Sequence, residues 1–419
     1  MINTLRLNNF KNFADETLRV GPFTVVVGAN ASGKSNVRDA FRFLHGIARG
    51  YTLPDVIGGR YGAGGHVEWE QIRGTATEVV RFGESQFSLS CGMTLDETDV
   101  HYMINIKVEP RSGRFNVFVE QLVVDGSPIF TSVPGDPDHA QSDDRFRFLS
   151  TGSTGTQRDT MIAIRPDQPT LTQIEELSQV ERSHKKWASR VAQALVGMRF
   201  LDLAPDRMRQ PAFPGQTVLG DSGENLPTVL KEICADDQRK RTLAAWTQAL
   251  TPMDVNDFEF PTDPTTGRVH LVIVEGNGNK VSAYSASDGT LRFLAMLAAL
   301  LGKNRARLYV FEEIDNGVHP SRQHLLVDLI EGQTAKGNLQ VVTTTHSPDL
   351  IELVGPDTFR STSVVCRCPD TDDSEIRAVA ELPNASELRK SQGLGRLHRS
   401  GWMENAVLFD GRGQEENMC

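Results

Sequence analysis

Residues 25–36 read Val-Val-Val-Gly-Ala-Asn-Ala-Ser-Gly-Lys-Ser-Asn, and an apolar-periodic segment follows from Val37 to Ile47. Three β-branched residues thus run into G-x-x-x-x-G-K-S and then into a helix signal. That order of strand, glycine loop and helix is the context a phosphate-binding loop requires. It predicts backbone N–H groups of Asn30, Ala31, Ser32, Gly33, Lys34, Ser35 and Asn36 converging on phosphate at the positive end of a helix dipole. Lys34 would neutralise the β- and γ-phosphates, and the Ser35 hydroxyl would bind a magnesium ion. Gly28 and Gly33 supply backbone angles and close approaches that a Cβ would obstruct.

Three later segments carry chemistry that fits such a loop. Leu308-Tyr309-Val310-Phe311 is an apolar strand signal delivering Glu312 and Glu313 at its carboxyl end. Glu312 would hold magnesium and Glu313 would orient or deprotonate an attacking water; the plainer alternative is an exposed acidic turn. His346 leaves the next strand, Leu339 to Thr344, where a histidine can reach a γ-phosphate. Ser287, Asp288 and Gly289 precede the apolar helix Gly289 to Leu301, and that pattern is both an N-cap and an anion-binding helix end.

The remainder predicts two lobes. From His66 to Phe130 the hydrophobic period is two, in runs His66–Ile72, Glu78–Phe82, Gln86–Met93, His101–Glu109 and Arg114–Val123, which reads as an antiparallel meander. Gly50 to Gly65 and Val133 to Thr160 read as exposed loops, Leu171 to Val196 as helical. Ser363–Cys366 and Glu375–Ala380 read as a closing hairpin, with Asp370, Asp372 and Asp373 at its solvated tip. The predicted division is 1–150 (phosphate loop and meander), 151–199 (helical insertion), 200–390 (second lobe) and 391–419 (a tail ordered at best in part). No heptad array is long enough for a coiled-coil arm. The composition, 39% hydrophobic and 23% charged, excludes global disorder. A net charge of −10 disfavours a broadly basic nucleic-acid binder. The densest basic run, Arg182, His184, Lys185 and Lys186, leaves DNA as a candidate partner beside the alternative of a solvated helix face. Five cysteines without an export signal, and no membrane-length apolar run, predict a cytoplasmic protein with no membrane partner.

The order of these motifs resembles the ABC-type ATPase heads of the SMC, RecF and OLD-like group, and within it bacterial predicted AAA-family ATPases. The resemblance rests on L-R-L-N-N-F-K-N-F at 5–13, G-A-N-A-S-G-K-S-N at 28–36, S-A-S-D-G-T-L-R at 285–292, Y-V-F-E-E-I-D-N-G-V-H-P at 309–320 and T-H-S-P-D-L at 345–350. It implies an α/β P-loop fold of ABC-ATPase type with ATP and Mg2+ as cofactors. It makes Ser287, Asp288 and Gly289 the signature acting in trans on a partner's ATP, and places Asp315 and Asn316 in the D-loop. His346 becomes the switch histidine and Gln210 a Q-loop candidate, with a structural role for Gln210 equally open. The implied protein forms a homodimer or higher homo-oligomer around ATP and regulates a separate effector, a nuclease or toxin, in DNA repair or anti-phage defence. Glu312 departs from the aspartate of transporter-type heads. Two rivals stay open: an ATP-binding scaffold with little turnover, and a transporter subunit, although S-A-S-D-G-T differs from the transporter signature L-S-G-G-Q. A single-chain nuclease of the OLD type would need a further domain after His346, and only about seventy residues remain.

Overall fold

A computed structural model describes residues 1–109, 112–135, 145–151, 157–369 and 371–415. The P-loop strand Phe23–Val27 lies inside a six-stranded sheet. Its order is Met198–Leu201, Leu308–Phe311, Gln340–Thr345, Phe23–Val27, Ser363–Arg367, Ser374–Ala378. All neighbours are parallel except the last pair, which is the antiparallel hairpin expected from the sequence. The second sheet has eight strands. Ile2–Phe10 and Phe13–Arg19 form one end, followed by the meander Gln86–Leu95, Thr98–Val108, Phe115–Val124, Ser127–Pro134, Arg145–Thr151 and Gln157–Ala163.

Strand periodicity divides the interior into two cores. Val26, Leu308, Val310, Val342 and Val365 face the meander and the helix Lys34–Ala48. Val25, Val27, Tyr309, Phe311, Val341 and Val364 point the other way, towards the helices Leu226–Cys234, Asp288–Leu301 and Gln323–Thr334. The helix Lys34–Ala48 is therefore enclosed between sheets, and every residue from Val37 to Ala48 is buried. A side chain of Gln340 ties the sheets together. Its Nε2 donates to the carbonyls of Ile2 (2.7 Å) and Gly21 (3.1 Å), and its Oε1 accepts from Ile2 N–H at 2.7 Å.

Several local expectations change. Thr52 caps a helix at Leu53–Gly58 inside the expected loop 50–65, because Leu53 and Val56 are apolar enough to dock in the core. Glu78–Phe82 is not a strand: a capping box at Thr75 and Glu78 folds Ala76–Val79 into a 3-10 turn. His66–Ile72 keeps only Val67–Trp69, paired with Arg60–Tyr61. Much of 133–160 joins the meander through Phe146 and Phe148, whose alternation buries both. Residues 136–144 and 152–156 of that expected loop lie outside the described residues, as do Arg111, Asp370 and 416–419. The C-terminal stretch is helical at Ala385–Gln392, Leu394–Arg399 and Trp402–Glu415, docked by buried Leu394, Leu397, Met403 and Val407. No helix among the described residues is long and apolar enough to cross a membrane.

Glu120 fastens the meander to the segment beyond it. Fully buried, its carboxylate accepts from the Tyr102 hydroxyl (2.9 Å) and from the N–H groups of Thr170 (2.5 Å) and Leu171 (2.9 Å). Burial outweighs these bonds and raises its pKa to about 7. An acid with a raised folded pKa contributes stability that is complete below its unfolded pKa and is lost as pH climbs through the folded value. Stability should thus decline between about pH 4.5 and 7 in a way that Glu120→Gln removes. In urea denaturation the variant should gain on the parent by roughly 3 kcal/mol from pH 4 to pH 8. A difference independent of pH would contradict this.

Candidate nucleotide site

Parallel register sets the site. Leu201 pairs with Phe311, Phe311 with Thr343, and Thr345 with Val27. The residues that leave these four strands, Asp202, Glu312, His346 and Gly28, therefore emerge at one edge of the sheet. This is the carboxyl edge, where open α/β sheets bind ligands. A cavity of about 450 Å³ lies there, lined by Asn30–Asn36, Glu312, Glu313, Asn316, Thr344 and His346, together with Arg73, Asp202 and Arg292.

The loop conformation depends on its glycines. Gly28 has φ +147°, and a Cβ there would sit 2.1 Å from the Val365 carbonyl oxygen. Gly33 has φ +109° and abuts the Asn12 amide. Asn12, at the turn after the first strand, braces the loop. It accepts from Asn36 Nδ2 at 2.7 Å and donates to Ser374 Oγ, which itself donates to the Ser32 carbonyl at 2.6 Å. Lys34 Nζ lies back on the loop, donating to the carbonyls of Gly28 (2.8 Å) and Ala29 (2.6 Å). Burial lowers its pKa to about 8, against the opposing pull of Glu313 and Glu404.

Across the cavity, Glu312 accepts from Arg73, which reaches it from a loop far away in sequence. Burial raises the carboxyl's pKa, but Arg73, Arg38 and the Ser35 hydroxyl outweigh it, and the net shift is downwards. Oxygen Oε1 of Glu312 is buried with no hydrogen-bond partner. An ionised carboxylate with one bare buried oxygen, beside Ser35, fits a divalent cation. Among the described residues no three His, Cys, Asp or Glu gather as a metal site. The protein thus offers few donors, as magnesium accepts when phosphates and water complete its shell.

Glu313 adopts a left-handed backbone, φ +48°, secured by its N–H donating to Thr344 Oγ1 (3.1 Å) and its carbonyl accepting from Asn316 N–H (2.9 Å). Its carboxylate stands 3.8 Å from His346 Nε2. Asp315 accepts from Thr345 Oγ1 at 2.6 Å, tying the segment after Glu313 to the end of the histidine strand.

Other anticipated residues lie apart. Ser287 caps the helix Asp288–Leu301 by accepting from Thr290 N–H at 3.1 Å, and Arg209 holds Asp288 at 2.5 Å. Gly289 packs against the Gly317 backbone, where a Cβ would come within 2.5 Å of the carbonyl oxygen. None of these three lines the cavity, although Arg292 of the same helix does. Gln210 is exposed and also outside the lining. Asp202 instead occupies the strand end beside Glu312. Its signal was present as a second, largely apolar run ending in an acid, Met198 to Asp202; Arg292 closes the motif at 285–292 without a role read from it, and Arg73 carried no signal. Of the basic run, His184 is buried with Nε2 at 3.0 Å from the Thr151 carbonyl, so it leaves the surface.

A family model described as "AAA domain, putative AbiEii toxin, Type IV TA system" matches residues 23–352. An "ATP/GTP phosphatase" of Helicobacter pylori is 24% identical over 365 residues, spanning 84% of this chain and 87% of that protein. A "Chromosome partition protein Smc" of Clostridium kluyveri is 41% identical over 63 residues, 13% of this chain and 5% of that one. Among solved structures, the SMC head domain of Thermotoga maritima aligns at TM-score 0.44 and 12% identity, covering 90% of this chain and 98% of that one. A Smc head bound to the C-winged helix domain of ScpA aligns at 0.45 and 16%, covering 90% and 96%.

The depressed Lys34 pKa gives a test of the loop. The amine is partly neutral above pH 8 and must be charged to neutralise phosphate, so nucleotide binding should take up protons there. Calorimetry at pH 9 in buffers of different ionisation heat should show uptake approaching one proton, vanishing at pH 6.5 and absent in Lys34→Met. No uptake at pH 9 would remove Lys34 from contact with the phosphates.

Proposed function

The chain belongs to this AAA-domain family of ABC/SMC-like ATPases, and from that premise we propose that it binds ATP with magnesium, hydrolyses it, and closes as a homodimer to do so. The observation that carries the reading is the convergence of Lys34, Ser35, Glu312, Glu313 and His346 on one cavity. Lys34 turns from its own loop carbonyls to the phosphates. Ser35 and the bare oxygen of Glu312 hold the cation, which when bound neutralises phosphate charge. Glu313 accepts the proton of the attacking water, and His346, 3.8 Å away, steadies that carboxylate and meets the γ-phosphate. Asp202, level with Glu312, is placed to order water beside the metal.

Ser287, Asp288 and Gly289 do not line the cavity built on Lys34 of the same chain. Their helix end still offers N–H groups to an anion, and Gly317, next in the chain after Asp315 and the lining residue Asn316, packs against Gly289. A second copy facing the first would seat each signature on the other's ATP, as a two-fold axis demands. The Helicobacter pylori relative's name supports phosphatase chemistry on ATP. The toxin–antitoxin wording of the family supports a toxin-linked effector role in anti-phage defence, while a nuclease effector and DNA repair rest on the resemblance of the motifs alone.

Glu313→Gln should bind ATP with unchanged affinity, lose at least a hundredfold in phosphate release, and accumulate the ATP-bound dimer in light scattering. Turnover equal to the parent's would remove Glu313 from the role of base.

A further inference from the structure

Behind the nucleotide site lies a larger cleft of about 1000 Å³, between the helix Lys34–Ala48, the segment 65–70 and the strand Met198–Leu201. Its floor is cationic and buried. Arg38 is 5% exposed and Arg42 8%. The Nε of Arg38 is buried with no hydrogen-bond partner, and among the described residues no carboxylate forms an ion pair with it. Arg42 lies over the Trp69 ring at 4.8 Å, donates to the Glu70 carbonyl at 3.1 Å and forms one loose ion pair, with the Glu70 carboxylate at 3.7 Å, while Asp221 and Asp39 also act on its charge. Arg199 on the adjoining strand is held by the carbonyls of Val196 and Met198.

A buried guanidinium without a counter-ion is costly, and proteins ordinarily supply one. Here the helix carries neighbouring solutions to the same difficulty. Asp39 is paired with Lys11, and His45 bonds the Leu195 carbonyl. Arg38, which lines the cleft, is the member of this buried set whose Nε has no partner. The five carboxylates of the cleft, Glu68, Glu70, Asp202, Asp221 and Glu224, belong to exposed residues at its rim, although the Asp221 carboxyl is desolvated enough to raise its pKa and stands in the field of Arg42, Arg199 and Arg38, offsetting part of their charge. An extended polyanion lying across that rim would be repelled. A short anion entering end-on would pass between the carboxylates and meet the arginines.

We propose that the cleft is a second anion site, built for a small ligand bearing two or more linked phosphates, separate from the nucleotide held by the P-loop. The volume suits such a ligand, being at the upper end of small-molecule pockets. The guanidinium forks of Arg38, Arg42 and Arg199 match phosphate oxygens in geometry as well as charge. The cleft and the nucleotide cavity share Asp202 in their lining, and the charge of Arg38 acts on Glu312. An occupant would therefore alter the field at the metal-holding carboxylate, which makes the cleft a route for regulating the first site.

The test uses the full chain with Lys34→Ala, so that the P-loop is disabled and ATP turnover plays no part in the outcome. Equilibrium dialysis with inorganic pyrophosphate in metal-free buffer at fixed ionic strength should show saturable binding of about one equivalent. Adding Arg199→Gln, at a partly exposed position that folding tolerates, should weaken it roughly tenfold, the loss expected for a charge-assisted bond. Pyrophosphate should also raise the melting temperature of Lys34→Ala, and less so with Arg199→Gln present. Absence of saturable binding, or equal binding with and without Arg199→Gln, would overturn the proposal. Competitive displacement of pyrophosphate by a twelve-nucleotide single strand would give the cleft to a nucleic-acid backbone and overturn the small-ligand assignment.

Discussion

The helix Lys34–Ala48 is closed in on nearly every side, and the structure depends on how that enclosure is satisfied. A helix of this kind is ordinarily apolar all round. This one carries Arg38, Asp39, Arg42 and His45 into the interior. Each needs a partner that the helix cannot supply, and neighbouring elements provide one for three of them: Lys11 from the first turn for Asp39, Trp69 from the small hairpin for Arg42, and the Leu195 carbonyl from the long helix for His45. The meander is thus more than a cover for the P-loop helix. It fixes the first turn so that Asn12 can brace the glycine loop.

Parallel strand register does the remaining positioning. Because Phe23–Val27, Gln340–Thr345, Leu308–Phe311 and Met198–Leu201 run side by side, their carboxyl ends deliver residues to one edge without further adjustment. At the cavity, positive φ angles at Gly28, Ala31, Gly33 and Glu313 turn the chain. Strain at such places is characteristic of sites where a side chain must be aimed.

Much of this was legible from residues alone. The glycine loop, the acid pair and the histidine each carry a local signature, since a strand followed by a functional residue is contiguous in sequence. The meander was legible from its period of two. What could not be read was contact between distant segments. Arg73 meets Glu312 across 239 positions, and nothing near either residue announces it. Asp202 stood after an apolar run like Glu312 but lacked the second acid that marks the pair. The terminal helices looked like a loose tail because their apolar residues, Leu394, Leu397, Met403 and Val407, are few; docking against the second core orders them. The expected loop failed at 145–151 and 157–160 because Phe146 and Phe148 give too short an alternation to stand out from polar surroundings.

In the proposed homodimer each site is completed by two copies of the chain. Ser287→Arg leaves its own P-loop untouched and Lys34→Ala leaves its own signature untouched, so each variant alone should fold and neither should hydrolyse ATP. Mixed, they would form dimers in which one of the two composite sites keeps both an intact loop and an intact signature. ATPase rate measured against mixing ratio should rise from near zero, peak close to equal proportions and fall again. A mixture no more active than its components, or Ser287→Arg hydrolysing ATP normally as a monomer, would contradict the shared site and leave Ser287 as a helix cap.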